Sequence, residues 1–309
     1  MTEMRVLSEP VLIHPGFHKT GTTYLQEVLF TDDRGFRQPW NRHFIYEHLI
    51  DPHELAFNPE AAKAAFAVAS PVPDGGAVAV VSEEGLCGNP FNGAREAGIF
   101  ARKLRAVFDD AYILLTVRNQ SEMLRAVYIQ YLKAYGRRDP ESFYQPPRFP
   151  EFSAFDPDIY RYDRLAECYA ALFGAARVLV LPQELLQRDE DAFISALERL
   201  MDITAVRRTA SSAKTNGRNV SPKPAGIPFL RLGNSFFASA FNESGLNPSF
   251  AALGHLFRRL GYRDTPLFRN KAQEMESLLT GFRGRYQASN ARLQSFCPVD
   301  LTQFGYEMA

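Results

Sequence analysis

Apolar residues follow two rhythms along this chain. In four places they run almost unbroken: Val11–His14, Ala77–Ser82, Tyr112–Val117 and Val178–Leu181. Short runs rich in Val, Ile and Leu, without polar alternation, predict strands covered on both faces, as in a parallel sheet. Asp74-Gly75-Gly76 places a turn before the second run. Between the runs the apolar positions recur at helical spacing. The spacing predicts helices over Thr22–Phe30 (Leu25, Val28, Leu29 inward), Ala94–Phe108 (Ile99, Leu104, Val107, Phe108) and Ser121–Tyr135 (Met123, Leu124, Val127, Tyr128, Tyr131, Leu132). It predicts further helices over Asp158–Phe173, Glu190–Met201, Pro228–Phe241 and Asn270–Gln287. Strands alternating with helices predict an α/β fold, with a central parallel sheet between helices and a helix-rich C-terminal third without a clear strand. No internal repeat interrupts this order, and the expectation is a single domain over 1–309.

Two stretches break both rhythms. Gly136 to Pro157 carries Pro140, Pro146, Pro147, Pro150 and Pro157 among Phe and Tyr residues, a composition that argues against a regular helix or central strand. It reads equally as a lid or substrate wall and as a crossover loop packed on the surface. From Ile203 to Asn242 there is no Asp or Glu, while Arg207, Arg208, Lys214, Arg218, Lys223 and Arg231 are basic. Asn216-Gly217 and Ser221-Pro222-Lys223-Pro224 mark its first part as loop.

Composition narrows the class further. With 46% hydrophobic residues in 309 the chain can bury a large core. Its 35 basic and 35 acidic side chains cancel, so charge gives no general pull toward nucleic acid or an anionic membrane. The longest apolar run, Ala111–Leu115, is too short to span a bilayer, and the N-terminus has no apolar signal core. Cys87, Cys168 and Cys297 are isolated and odd in number, which predicts reduced thiols and a cytoplasmic protein. His43, His48 and His53 lack ligand spacing, so no metal is expected. No coiled-coil heptad points to an oligomeric state.

Chemistry concentrates where strands end. The first run leads into His14-Pro15-Gly16-Phe17-His18-Lys19-Thr20-Gly21-Thr22-Thr23 and then a helix. Strand, glycine loop and helix start form an anion cradle, because backbone N–H groups and the helix dipole face the anion. Gly16 and Gly21 allow close backbone approach, Lys19 adds a point charge, and the hydroxyls of Thr20, Thr22 and Thr23 add donors. Thr23 and Gln26 have capping-box spacing. The loop differs from a Walker A motif, in which the Lys follows the second Gly and directly precedes Ser or Thr. The third run ends in Arg118, at the sheet edge where open α/β folds bind ligands, and an Arg there suits an anion. The second ends in Ser82-Glu83-Glu84-Gly85, two adjacent carboxylates pointing opposite ways.

Lys19-Thr20-Gly21-Thr22-Thr23 after a strand and Gly16 resembles the 5′-phosphosulfate loop of sulfotransferases that use 3′-phosphoadenosine 5′-phosphosulfate (PAPS). With His18 it is similar to the bacterial form of that loop. The resemblance implies a P-loop-like three-layer sandwich and sulfuryl transfer from PAPS, without metal, to a hydroxyl or amine on a carbohydrate, lipid-linked or other small acceptor. It implies that Gly16, Lys19, Thr20, Gly21, Thr22 and Thr23 hold the 5′-phosphosulfate. Arg118 would hold the 3′-phosphate, with Lys214 and Arg218 contributing from a basic loop over 203–228 that closes on the nucleotide. The family carries Ser eight positions after this Arg; here Ala126 stands there, leaving Ser121 or a basic loop residue to compensate. Catalysis would fall to Lys19, to Glu84 or Glu83 as general base, and to His18 inside the loop, which is placed to touch acceptor or sulfate. Segment 136–157 would lie on the acceptor side, and Ser289–Leu293 is similar to the tail of bacterial members. Two other classes stand beside this reading: a P-loop small-molecule kinase, and a non-catalytic nucleotide- or carbohydrate-binding module, which Ala126 favours.

Overall fold

A computed structural model describes residues 11–69, 77–147, 154–202, 221–243, 245, 248–263 and 265–309. Among the described residues five strands build one sheet: β1 (Val11–His14), β2 (Phe36–Arg37), β3 (Val78–Ser82), β4 (Ala111–Val117) and β5 (Val178–Pro182). Their order across the sheet is β2-β3-β1-β4-β5, and every pairing is parallel. The apolar runs are therefore the strands, within a residue at each end. The two-residue β2 was not foreseen, because an edge strand this short has no periodicity to display.

The helices are α1 (Thr22–Tyr24, continuing as a wider π-type turn over Leu25–Leu29), α2 (Arg42–Ile45), α3 (Pro59–Val68), α4 (Ala97–Val107), α5 (Gln120–Lys133), α6 (Pro140–Tyr144) and α7 (Tyr162–Phe173). There follow α8 (Gln183–Arg188), α9 (Glu190–Met201), α10 (Ile227–Asn234), α11 (Ala251–Leu260), α12 (Arg269–Thr280) and α13 (Gln287–Leu293). Starts are fixed by side-chain caps where the sequence offers them. Asn119 Oδ1 accepts from Ser121 N at α5, and Asp189 Oδ1 from Ala192 N at α9. Two expected helices stop early: the one begun near Pro228 ends at Asn234, and the one begun near Asn270 ends at Thr280. In α4 it is Phe100, not Ile99, that is buried.

Adjacent strand residues point to opposite faces, and each face has its own apolar layer. Leu12, Val80, Leu114 and Leu181 pack against Leu25, Leu29, Leu185, Phe193 and Leu197 from α1, α8 and α9. Ile13, Val81, Ile113, Leu115 and Val180 pack against residues of α2, α3, α4, α5 and α7. The molecule is thus an α/β three-layer sandwich. Leu12 and Ile13 are fully buried, and each such side chain contributes roughly 1.5–3 kcal/mol.

The described part of the Pro-rich stretch contains a helix that its composition does not predict. Pro140 takes the first position of α6, where its missing N–H costs nothing, and Asp139 caps the helix through Ser142 N. Phe143, Tyr144 and Phe155 are buried, with the Phe143 and Phe155 rings stacked at 4.6 Å. The described aromatic residues of this segment therefore extend the core. No described helix is long and apolar enough to cross a membrane. The described part of the C-terminal third has helices and no strand.

Candidate active site

The strand order reverses between β1 and β4. From β1 the chain moves toward β3 and β2, and from β4 it moves the other way to β5. Such a reversal opens a crevice beyond the carboxyl ends of the strands. The exits of β1, β3 and β4 all meet there.

His14 ends β1 and is fully buried. Its Nδ1 lies 2.8 Å from Ser82 Oγ of β3, and its Nε2 lies 2.9 Å from Thr116 Oγ1 of β4. Thr116 Oγ1 is 2.8 Å from Thr20 Oγ1, and Thr20 donates its hydroxyl to the Phe17 carbonyl at 2.6 Å. The carbonyl can only accept, which sets the direction of the chain. Thr116 donates to Thr20, His14 donates from Nε2 to Thr116, and Ser82 donates to His14 Nδ1. Burial lowers the pKa of His14 to about 3, against a weak opposing pull from Glu84, so the imidazole is neutral.

This network involves two residues of the loop. The Thr20 hydroxyl is bonded to the Phe17 carbonyl and to Thr116, fixing the loop to β4. Gly16 is needed because a Cβ there would stand 2.5 Å from His14 Nε2 and 2.9 Å from Thr116 Oγ1. Its missing side chain leaves clearance over the imidazole.

Beyond Thr20 the loop does form a cradle. Lys19 and Gly21 are in the left-handed region, at φ 68° and 86°. Lys19 accepts this conformation at a cost of roughly 1–2 kcal/mol for a residue with a Cβ. The turn presents Lys19, Gly21, Thr22 and Thr23 to the crevice. Gly21 precedes the helix without a side-chain cap, so the expected capping box is absent; Gln26 instead donates to Ser82 O at 2.8 Å. The Thr22 hydroxyl oxygen is buried and has no partner among the described residues. An unpaired buried hydroxyl is costly, and it fits a site built to receive a ligand. Burial lowers the pKa of the Lys19 ammonium; Glu84 raises it, while Lys133 and Arg118 lower it further.

Arg118 leaves β4 and reaches back to the loop, with Nη1 3.5 Å from the Lys19 carbonyl and Nη2 3.5 Å from Glu122. The turn formed by Arg118 and Asn119 is held by three bonds. Tyr162 donates to the Arg118 carbonyl at 2.8 Å, Asn119 N donates to Glu184 Oε1 at 2.9 Å, and the Asn119 amide bonds the Gly305 carbonyl. Burial raises the pKa of Glu184.

The adjacent carboxylates at the end of β3 part company. Glu83 is buried and turned inward, accepting from Gly85 N at 3.1 Å. Burial raises its pKa, with Arg42 at 3.6 Å opposing. Glu84 lines the crevice, and its Oε1 lies 3.2 Å from His18 Nδ1. That hydrogen bond lowers the pKa of Glu84 against the effect of burial. His18 Nε2 is buried without a partner among the described residues.

The crevice encloses about 1360 Å³. Besides the loop, Glu84 and Arg118, one face of α5 lines it: Glu122, Arg125, Ala126, Ile129, Gln130 and Lys133. Ser121 is exposed outside it, so Arg125, and not Ser121, stands beside Ala126. Arg125 is held by Glu122 at 2.7 Å and Glu276 at 2.6 Å. Gln183, Leu186 and Arg188 of α8 also line it, as do residues 221–224. Lys214 and Arg218 lie outside the described residues.

No protein-family model matches the sequence, and no curated protein matches it. Three solved structures that it is similar to are sulfotransferases. One is from Alicyclobacillus acidocaldarius, at 14% identity over 85% of this chain and 100% of that chain, with a TM-score of 0.45. The second is a sulfotransferase domain from the curacin biosynthetic pathway, at 11% identity over 88% and 98%, with a TM-score of 0.39. The third is the sulfotransferase domain of the Synechococcus PCC 7002 olefin synthase, at 13% over 88% and 94%, with a TM-score of 0.38. At such distances the chemistry has to be read from the crevice itself.

Of the residues singled out from sequence, Lys19, Gly21, Thr22, Thr23, Glu84 and Arg118 line one cavity, with His18 bonded to one of them. Sequence reading missed Arg125, Lys133, Gln183 and the anchors Thr116, Tyr162 and Glu184, the first two of these anchors fully buried and Glu184 half-buried. The α5 residues were within reach, since the spacing that marks the buried face of a helix also marks its complement. The anchors are paired across the chain, and nothing local announces them. Among the described residues no group of His, Cys, Asp and Glu is placed to hold a metal.

Proposed function

We propose that this chain transfers a sulfuryl group from PAPS to a hydroxyl or amine acceptor. The observation that carries the reading is one cavity in which Lys19, the unpartnered Thr22 hydroxyl and Arg118 converge, with Glu84 alongside. Such an arrangement suits a donor with anions at two ends. Lys19, Thr22 and the N–H groups of Gly21 to Thr23 would hold the 5′-phosphosulfate. Arg118, supported by Arg125 where Ala126 lacks a hydroxyl, would hold the 3′-phosphate. Lys214 and Arg218 complete that site in the proposal as contacts from the loop over 203–228, and segment 136–157 keeps its place on the acceptor side.

The bound donor supplies a sulfur already activated by its phosphate leaving group. The residues of the chain then have two tasks. Lys19 stabilises negative charge on the bridging oxygen as the S–O bond to phosphate lengthens; an arriving anion favours its charged form against the burial that lowers its pKa. Glu84 takes the acceptor proton as the new S–O bond forms. His18 is the positioning residue, donating from Nδ1 and holding Glu84 as a carboxylate turned to the cavity. Positioning and charge account for the catalysis, as in phosphoryl transfer through loose transition states.

The direct test is Lys19→Ala, assayed by release of adenosine 3′,5′-bisphosphate from PAPS across a panel of sugar and phenol acceptors. Loss of about 10²–10³-fold in rate is expected for removal of a charge-stabilising donor. Turnover near that of the unaltered protein would overturn the role of Lys19.

A further inference from the structure

A surface helix normally turns its leucines to the core and its polar side to water. Helix α11 does the reverse. The residue it buries is Gly254, and Gly261 just past its end is buried too. These glycines lie against α10 and the turn before it. A Cβ at Gly233 would stand 2.8 Å from the Gly254 carbonyl oxygen, and one at Gly226 would stand 2.3 Å from that of Gly261. Glycine packed on glycine brings the two helices close and leaves the larger side chains outside. Leu253 and Leu256 of α11 are 40% and 52% exposed, and Leu232 of α10 is 45% exposed. Phe250, just before α11, is 55% exposed, and Leu267, between α11 and α12, is 73% exposed.

These side chains form one patch. The Phe257 ring of α11 stacks on Phe229 of α10 and on Phe236 just beyond it, each at 6.3 Å. Phe229 in turn meets Phe268, the neighbour of Leu267, at 5.1 Å. Leu232 falls between Phe229 and Phe236 at helical spacing, and Leu253 and Leu256 fall beside Phe257 in the same way. Of the large apolar side chains exposed among the described residues, only Leu55 and Val68 lie away from this hairpin. Leucines exposed singly need no explanation, whereas a contiguous patch marks a surface that something covers.

Charge says what covers it. The whole chain is neutral, but residues 221–263 hold Lys223, Arg231, Arg258, Arg259 and Arg263 against one acid, Glu243. Arg231 is engaged by Asp139, and Arg258 by Asn234. Arg259 and Arg263 are exposed and have no acidic partner among the described residues. Arg259 stands three positions after Leu256, on the same exposed side of α11. Leucines beside arginines on one exposed side suit the boundary of a bilayer, where the leucines enter and the guanidinium groups reach the headgroups. A second copy of the chain suits the patch less, because a two-fold contact would set its basic residues against their own copies. We propose that the α10–α11 hairpin docks on an anionic lipid surface. Leu232, Leu253 and Leu256 enter the apolar boundary, and Arg259 and Arg263 meet lipid phosphates. Ile227, the first residue of α10, lines the crevice, so one end of the docking hairpin reaches the active site.

The test is sedimentation of the full chain with two kinds of vesicle, phosphatidylcholine alone and phosphatidylcholine mixed with phosphatidylglycerol. It needs no substrate, so its outcome is independent of the reaction assigned to the crevice. The mixed vesicles are expected to bind at least about tenfold tighter, as two arginines near an anionic surface provide. Leu253→Ser with Leu256→Ser should lower that binding at least about tenfold at an unchanged melting temperature, since both side chains are exposed in the free protein. Leu256→Ala alone should lower it less, in the same direction. Arg259→Gln with Arg263→Gln should bring the two kinds of vesicle to parity. Leu55→Ser, an exposed leucine away from the hairpin, should bind as the unaltered protein does. No binding to either vesicle, parity between them in the unaltered protein, or binding that survives both leucine variants would overturn the proposal. A dimer that the leucine pair dissolves, in a protein that ignores vesicles, would overturn it too and give the patch to a second copy.

Discussion

Thr22 and Glu84 show how much turns on single side-chain atoms. The Thr22 hydroxyl is buried without a partner, so the folded protein bears its desolvation while a bound anion would relieve it. Thr22→Val removes the hydroxyl and keeps the shape. The melting temperature should stay level or rise, and affinity for adenosine 3′,5′-bisphosphate should fall about tenfold, as for a charged hydrogen bond. A drop in stability without loss of affinity would mean that the hydroxyl serves the fold. Glu84 has its pKa lowered chiefly by the His18 hydrogen bond. In His18→Ala that donor is gone and the carboxyl pKa rises. The acid limb of the rate–pH profile should then move to higher pH, because the base is protonated sooner as pH falls. An unmoved limb would separate His18 from the base. Sequence alone placed both carboxylates at the strand end and favoured Glu84, directly before Gly85, with Glu83 as the alternative. Their difference is one of burial and partner, with Glu83 turned onto Gly85 N and Glu84 onto His18.

The β1 exit and α5 are where local pattern and tertiary role diverge. The strand, the loop and the helix start were legible because each depends on neighbours in sequence: an apolar run, glycines, threonines. The two glycines nevertheless do different work, and substitution should tell them apart. A Cβ at Gly21 would meet nothing closer than 3.7 Å, so Gly21→Ala bears only the left-handed φ, roughly 1–2 kcal/mol of stability. A Cβ at Gly16 would overlap the buried imidazole of His14, and Gly16→Ala should cost roughly 1–3 kcal/mol or more through displaced core atoms. Urea unfolding of the two variants checks this, and the expected mark of Gly16→Ala is loss of the His14–Thr116–Thr20 chain. Helix α5 was legible on its buried face from apolar spacing. Its cavity face is mixed in charge and size, and only the sheet and α12 packed around it reveal that those residues share a cavity.

At the scale of the molecule, the alternation of buried runs and helical spacing predicted the three-layer sandwich. It could not predict the order β2-β3-β1-β4-β5, since strand order is set by long-range pairing. That order decides the site, because it brings Lys19 and Arg118, 99 positions apart in sequence, to one crevice. It also draws the Pro-rich segment into the core through Phe143, Tyr144 and Phe155, which composition alone left open. The central claim is that this crevice holds a nucleotide by anions at both ends. Calorimetric titration with adenosine 3′,5′-bisphosphate, with AMP and ATP–Mg²⁺ alongside, tests it most directly. The account predicts that the bisphosphate binds at least about tenfold tighter than AMP, the worth of a charged contact to the 3′-phosphate, and tighter than ATP–Mg²⁺. Preference for ATP–Mg²⁺, or no binding of any of the three, would contradict it.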